Sequence, residues 1–319
     1  MTVFIKATDP KALDEAVGVF KAGGLAAIPT ETVYGLGADA SNGEAVARIY
    51  EVKGRPDFNP LIAHCSSLEM AQRYGHFSQE ALKVADHFWP GPLTLVLPYK
   101  EDSGLSPLVR AGLKTIGLRV PNGVSQPIIK ALNRPIAAPS ANLSGRISPT
   151  TAEHVQSQLD GLIDLIIDGG PCHVGLESTI LTFDEDKPFL LRAGGIEAER
   201  LEDLLGSKLQ SPSANSPISA PGQLASHYAP KGTVRLNVNE VGDEDGALNF
   251  GDSQLKAAHV ESLSKTGDLR EAASRLFAAL SAFDEKGVKH IAVAPIPEKG
   301  LGVAINDRLR RAAAPRPIV

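Results

Sequence analysis

The chain reads as an α/β protein: a mixed sheet with flanking helices, joined by a Ser- and Pro-rich stretch to a second, smaller α/β domain. Three observations predict this. Short apolar runs of strand length alternate with stretches striped at helical spacing. Two later runs, Ser178 to Phe183 and Phe189 to Arg192, flank the turn Asp184-Glu185-Asp186-Lys187-Pro188 and read as an antiparallel hairpin, so the sheet is mixed rather than purely parallel. Residues 208–223 (KLQSPSANSPISAPGQ) lose periodicity and have the composition of a linker.

The elements follow in order. Asp9 is positioned to cap a first helix, with Pro10 in its first turn, Leu13, Ala16, Val17 and Phe20 on one face, and Gly23 at its end. Leu25 to Ile28, closed by Pro29, reads as a buried strand. Val46, Ile49 and Tyr50 mark a helical face, and Leu61 to Ala63 the next strand. A helix carrying Leu82, Ala85 and Trp89 stops at Pro90-Gly91. Further strands are expected at Leu93 to Leu97, Thr115 to Val120, Ile136 to Ala138 and Leu165 to Ile167, and a closing helix at Glu197 to Leu205. Beyond the linker, Thr233 to Val238 and Ile291 to Ala294 read as strands. Leu269, Ala273, Leu276, Leu280 and Phe283 stripe a long helix between them, and Leu301 to Ala312 forms a last one. At 319 residues the chain exceeds the roughly 250–300 at which single cores stop growing, so two domains are expected: 1–207, a linker 208–231, and 232–319.

Composition sets further bounds. Apolar residues make up 43% and charged residues 22%, as in ordinary globular proteins. A net charge of −5 offers no global attraction to nucleic acid or acidic membranes. Cys65 and Cys172 form neither a CxxC pair nor a zinc spacing, and a reducing compartment is the simpler expectation. The start MTVFIKATDP lacks a signal-peptide core, and no run approaches the roughly 18 apolar residues of a membrane span. The expectation is a cytoplasmic protein without membrane contact.

Four segments concentrate polar chemistry. PTETVYGLGADA (29–40) leaves a buried strand with Thr30, Thr32 and Tyr34 before two glycines. Its end matches the loose pattern GxGxxA, but Asp57 precedes the second strand instead of ending it, so the match reads as a glycine turn, not a dinucleotide fingerprint. KGRPDFNPL (53–61) puts Lys53 and Arg55 at a helix end around Gly54. They could simply compensate the helix dipole, or grip phosphates as a point charge and a planar fork. His64 follows on a strand. APSANLSGRISPT (138–150) carries Ser140, Asn142, Ser144 and Arg146, and suits a plain turn or an anion nest. DGGPCHVGLESTI (168–180) ends in Glu177-Ser178-Thr179, while Arg119 and Arg192 end strands. GxxxxGK[ST], HExxH, GxSxG and the kinase motif set are all absent, so any ATP use relies on a different cradle.

Together and in this order, these segments resemble the threonylcarbamoyl-AMP synthase family, in its long form with a YrdC-like domain and a smaller C-terminal domain. The match extends through WPGPLTLVL (89–97), GLRVP (117–121) and LLRAG (190–194). HYAP (227–230) and GVAINDRLRRA (302–312) resemble the long form specifically. The resemblance implies a YrdC-like twisted mixed sheet and a Rossmann-like second domain. It implies that threonine and bicarbonate form a carbamate, that the carbamate attacks the α-phosphate of ATP, and that pyrophosphate leaves. Magnesium is expected on the ATP phosphates, with no metal ligands from the protein. The product would pass to a tRNA threonylcarbamoyl transferase complex; tRNA contact is not required.

The family pattern puts Thr30, His64, Arg119 and Ser178 near threonine. It puts Lys53, Arg55, Ser140, Asn142 and Arg192 near the nucleotide, with Lys53 and Arg55 as the catalytic cations. Thr32, Tyr34, Asn59 and Thr115 are further candidates. His227 and Tyr228 lie in the linker segment that folds back over the site, and residues 223–230 are expected to form a lid. Two other readings fit less well. A non-catalytic RNA-binding module is disfavoured by the negative charge and 5% aromatic content. A carbamoyl transferase of hydrogenase maturation would be much longer and carry paired CxxC motifs, absent here.

Overall fold

The computed structural model describes residues 1–185, 187–211, 220–222 and 226–315. Ten strands form a mixed sheet: β1 (Val3–Lys6), β2 (Ala26–Ile28), β3 (Gly35–Asp39), β4 (Ile62–His64), β5 (Leu93–Pro98), β6 (Thr115–Arg119), β7 (Ile136–Ala137), β8 (Leu165–Asp168), β9 (Thr179–Asp184) and β10 (Lys187–Arg192). Their order is β1-β8-β2-β3-β7-β4-β6-β5-β9-β10. The expected hairpin is present as the antiparallel β9–β10 pair. Helices α1 (Ala12–Lys21), α2 (Gly43–Lys53), α3 (Leu68–Ala71), α4 (Gln79–Phe88), α5 (Ser125–Leu132), α6 (Ala152–Leu159) and α7 (Ala198–Leu205) connect or flank the strands.

Two local expectations are corrected. The first helix begins at Ala12, with Lys11 at its N-cap. Asp9 instead accepts from the Lys11 backbone N–H at 2.9 Å, so Asp9 and Pro10 form a turn ahead of the helix. The glycine turn expected after Tyr34 is strand β3, antiparallel to β2 and β7. Gly37 answers to packing: a Cβ there would stand 2.8 Å from Cγ2 of Ile136.

Helix α2 shows how a local pattern aims a functional residue. Asn42 caps it by accepting from the Glu44 and Ala45 N–H groups, and Gly54 ends it in the left-handed region at φ 58°, where glycine carries no Cβ penalty. Its buried face is Ala45, Val46, Ile49 and Lys53. Lys53 thus stands one turn beyond Ile49 on the apolar stripe, so its side chain runs inward.

The second sheet has four parallel strands, β11 (Thr233–Arg235), β12 (Gly246–Asn249), β13 (His259–Ser262) and β14 (His290–Val293), in the order β11-β14-β12-β13. Helices α8 (Leu269–Glu285) and α9 (Leu301–Ala313) pack against each other. Their apolar cluster includes Leu276, Phe277, Phe283 and Ile305, and it also takes in Val33, Ile147, Leu176 and Tyr228. The core of the second sheet is therefore continuous with loops of the first. Among the described residues, no helix is long and apolar enough to cross a membrane.

Candidate functional site

Loops 29–34 and 138–142, strands β4 and β6, the start of β9 and the end of β10 meet around a cavity of about 50 Å³. In the parallel register of β4 and β6, His64 is the partner of Arg119, and antiparallel β10 sets Arg192 beside Ile180. Sheet pairing thus gathers side chains that lie far apart in the chain.

In loop 29–34, Thr30 Oγ1 donates to the Val33 carbonyl at 2.7 Å and lies 2.8 Å from Thr32 Oγ1. Arg119 reaches this loop. Its Nη2 donates to Thr32 Oγ1 at 2.9 Å and forms an ion pair with Glu31 Oε2 at 2.9 Å, while Nε donates to the Gly91 carbonyl at 3.2 Å. Both members of the Arg119–Glu31 pair are only 4% exposed. Burial, and next the positive Arg119, hold His64 well below the ordinary histidine range, so its ring is neutral.

Arg55 is braced by the turn that follows it. Nε donates to the Asn59 carbonyl at 3.0 Å, and Nη2 donates to Asn59 Oδ1 and the Pro60 carbonyl at 2.8 Å each. Burial pulls its pKa down to about 10. Lys53 Nζ donates to the Ser140 carbonyl at 2.6 Å and also to the Asn142 carbonyl. Burial, then the neighbouring Arg55, press its pKa well below the usual lysine value.

Arg192 grips the start of β9. Its Nε and Nη2 donate to the Ser178 carbonyl at 3.1 and 3.0 Å, and Nη1 donates to the Pro221 carbonyl at 3.1 Å. Ser178 Oγ lies 2.7 Å from Thr94 Oγ1. Glu177 accepts from Ser148 Oγ at 2.5 Å and from Arg308 Nε at 2.8 Å. Burial pushes its pKa up, but Arg308, Arg192 and the Ser148 bond outweigh that, and the net shift is downward.

Pro221, Gly222, His227 and Tyr228 close the cavity from the linker side. Gly222 has φ 83°, and a Cβ there would stand 2.9 Å from both Arg192 Nη1 and the Tyr228 hydroxyl. Burial lowers the His227 pKa to about 3, a shift Glu177 opposes and Lys53, Arg55 and Arg192 reinforce. Of the segment 223–230 expected to form a lid, residues 223–225 lie outside the described residues, as do 212–219 of the linker.

Thr30, Thr32, Arg55, His64, Arg119, Ser140, Ser178, Arg192, His227 and Tyr228 all line this cavity. Lys53, Asn59 and Asn142 stand behind its wall: Lys53 ties down loop 140–142, and Asn59 braces Arg55. Two candidates are not brought to it. Tyr34 is buried in the core with its hydroxyl donating to the Gly170 carbonyl at 2.8 Å. Thr115 begins β6 opposite Pro98, four residues or about 13 Å along the strand from Arg119. Sequence reasoning missed Glu31 as the partner of Arg119, Glu177 as a wall residue and the Pro221 carbonyl. The i,i+4 and i,i+7 spacing of Lys53 from Ile49 and Val46 would have revealed its inward direction.

Three guanidinium groups, from Arg55, Arg119 and Arg192, thus line a cavity to which Glu177 adds one carboxylate. Such a wall suits anions, and the groups are fixed in advance by bonds to backbone carbonyls. A family model described as "Telomere recombination" matches residues 18–194, and one described as "Threonylcarbamoyl-AMP synthase, C-terminal domain" matches residues 196–314. The chain is 40% identical to a threonylcarbamoyl-AMP synthase of Bacillus subtilis (strain 168), over 98% of this chain and 96% of that protein. It is also 40% identical to one of Pyrococcus abyssi (strain GE5 / Orsay), over 94% of each. The crystal structure of P. abyssi Sua5 complexed with L-threonine superposes with a TM-score of 0.89 at 37% identity, covering 98% of this chain and 97% of that one. E. coli YciO matches 61% of this chain with a TM-score of 0.55 at 25% identity. These relatives favour the catalytic reading over an RNA-binding module, and the chain belongs to the threonylcarbamoyl-AMP synthase family.

Proposed function

We propose that this enzyme joins L-threonine, bicarbonate and ATP into L-threonylcarbamoyladenylate and releases pyrophosphate. The observation that carries the reading is the convergence of Arg55, Arg119 and Arg192 on one cavity of a family member. The reaction assembles a carboxylate, a carbamate and a triphosphate, which repel one another in the absence of cations. The amine nitrogen bonds to the bicarbonate carbon with loss of water. A carbamate oxygen then bonds to the α-phosphorus as the bond to the departing pyrophosphate breaks. No covalent nucleophile is required; positioning and charge compensation do the work.

Arg119, with Thr30, His64 and Ser178, is assigned to threonine. Arg55, Arg192 and Ser140 are assigned to the nucleotide, with Lys53 and Asn142 holding the Ser140 loop in shape. Residues 1–207 form the catalytic domain in this reading, 208–231 the linker and lid, and 232–319 the smaller domain. His227 and Tyr228 shield an adenylate that water would otherwise hydrolyse. Glu31 and Glu177 are each committed to an arginine. That donor set fits magnesium carried on the ATP phosphates, which keeps most of its ligands as water and phosphate oxygen. The product would go to a tRNA threonylcarbamoyl transferase in the cytoplasm.

The test is incubation with ATP, threonine and bicarbonate, with detection of pyrophosphate and the adenylate. Release should require threonine and bicarbonate together. Equal release without threonine would mark a pyrophosphatase instead. Serine, lacking the methyl group, should be discriminated against by on the order of 1–3 kcal/mol.

A further inference from the structure

Arg308, on α9, heads the largest fully buried side chains, and the chemistry above makes no use of it. A buried guanidinium is costly unless it is paired, and its partners are informative. Its Nε donates to Glu177 Oε2 at 2.8 Å, 131 residues away in the chain, and its Nη1 to Asp307 Oδ2 at 2.7 Å. Its guanidinium carbon lies 5.2 Å from the centroid of the Tyr228 ring, within cation–π range. One side chain of the smaller α/β unit therefore touches both a cavity-wall carboxylate and a ring that closes the cavity.

Other contacts converge on the same segment. Tyr228 is 1% exposed yet has φ 62°, an uncommon backbone state for an aromatic residue that persists only where surroundings hold it. The ring packs on Phe277 of α8 at 5.5 Å. On either side the backbone is tied: the His227 N–H donates to the Arg311 carbonyl of α9 at 3.2 Å, and the Ala229 N–H to the Gly145 carbonyl at 2.9 Å.

We propose that Arg308 is a positioning residue through which the α8–α9 layer sets Tyr228 and Glu177 against the catalytic cavity. This gives the smaller unit a part in the reaction: it presents a flat cation that can stack on the ring and pair with the carboxylate at once. Lysine, a point charge, can do only one of these. The proposal rests on the synthase reading for what Tyr228 closes over, but the link between Arg308 and Tyr228 can be read without turnover.

The experiment uses Arg308→Lys in the full chain. Chymotrypsin cleavage after Tyr228 is followed by mass spectrometry, beside the melting temperature and kcat and KM for ATP. Cleavage should become at least about tenfold faster and kcat should fall about tenfold, with the melting temperature near wild type. Cleavage and kcat at wild-type values would overturn the proposal. So would lower kcat with wild-type cleavage, or faster cleavage with wild-type kcat. If Arg308→Lys does not fold, Arg308→Met combined with Glu177→Gln removes both charges together and avoids an uncompensated carboxylate. That pair should also speed cleavage, and wild-type cleavage in it would overturn the link. A wild-type enzyme that makes no adenylate would refute the synthase reading instead, leaving the cleavage comparison intact.

Discussion

The two sheets handle charge in opposite ways. Around the ten-stranded sheet, Glu31, Lys53, His64, Arg119, Glu177 and Arg192 are all buried. Around the four-stranded sheet, the pairs Arg235–Glu244, Lys286–Glu261 and Arg310–Glu298 keep their cations about half exposed. Taking a charge out of water is unfavourable unless partners replace the solvent. Concentrating so many on one sheet is what a site handling charge requires, while the second sheet keeps these pairs at its surface. Among the described residues, Arg308 is the exception in the second unit, and it points out of that unit toward Glu177.

This contrast can be broken most directly at Glu177. Glu177→Ala removes the carboxylate to which buried Arg308 Nε donates and should lower stability by about 3–5 kcal/mol in denaturant unfolding. Arg310→Ala, which breaks the exposed pair with Glu298, should change it by less than about 1 kcal/mol. Similar effects from both would erase the distinction between the sheets.

The next effect sharpens the comparison within the site. Arg55→Ala and Lys53→Ala should each lower turnover by tenfold or more, on the order of 1.4 kcal/mol. Their stabilities should differ. Arg55 lines the cavity, whereas the Lys53 amine holds the Ser140 and Asn142 carbonyls, so Lys53→Ala should also lower the melting temperature. Loss of stability with normal turnover in both would mean that the two cations only brace the end of α2.

A further effect concerns pH. The folded pKa of His227, about 3, lies below the ordinary value near 6.5. The unfolded chain therefore binds the proton first as pH falls. The stability from neutral His227 is complete above pH about 6.5 and is lost on descent toward 3, at up to about 1.4 kcal/mol per pH unit. His227→Gln should flatten the decline in urea midpoint between pH 6.5 and 5 relative to wild type. An identical slope would place the acid sensitivity elsewhere, with His64 the next group to test, since burial holds it neutral too.

Much of this architecture was legible wherever a local period was strong. The stripe from Leu269 to Phe283 became α8, and the runs around the acidic turn became β9 and β10. Strands β12 and β13 escaped because Gly246–Asn249 and His259–Ser262 are short and only partly apolar; neighbouring strands define them. Strand β3 escaped because two glycines imitate a turn, when one of them, Gly37, in fact leaves room for Ile136 and Phe20. At the site, most of the motif residues in loops and at strand ends line one cavity, while in the sequence Thr115 and Tyr34 look no different from them. A strand's two ends and a loop's two faces look alike in one dimension.

The sequence by itself determined the alternation of elements and the polar segments that could serve anions. These follow from periodicity, composition and turn chemistry, which act over a few residues. Only the tertiary structure decided which cations face the cavity and which brace it, that Glu31 holds Arg119, and that Arg308 meets Glu177 across 131 residues. Those pairings arise when sheet register and helix packing bring distant segments together, and burial then requires each charge to find a partner.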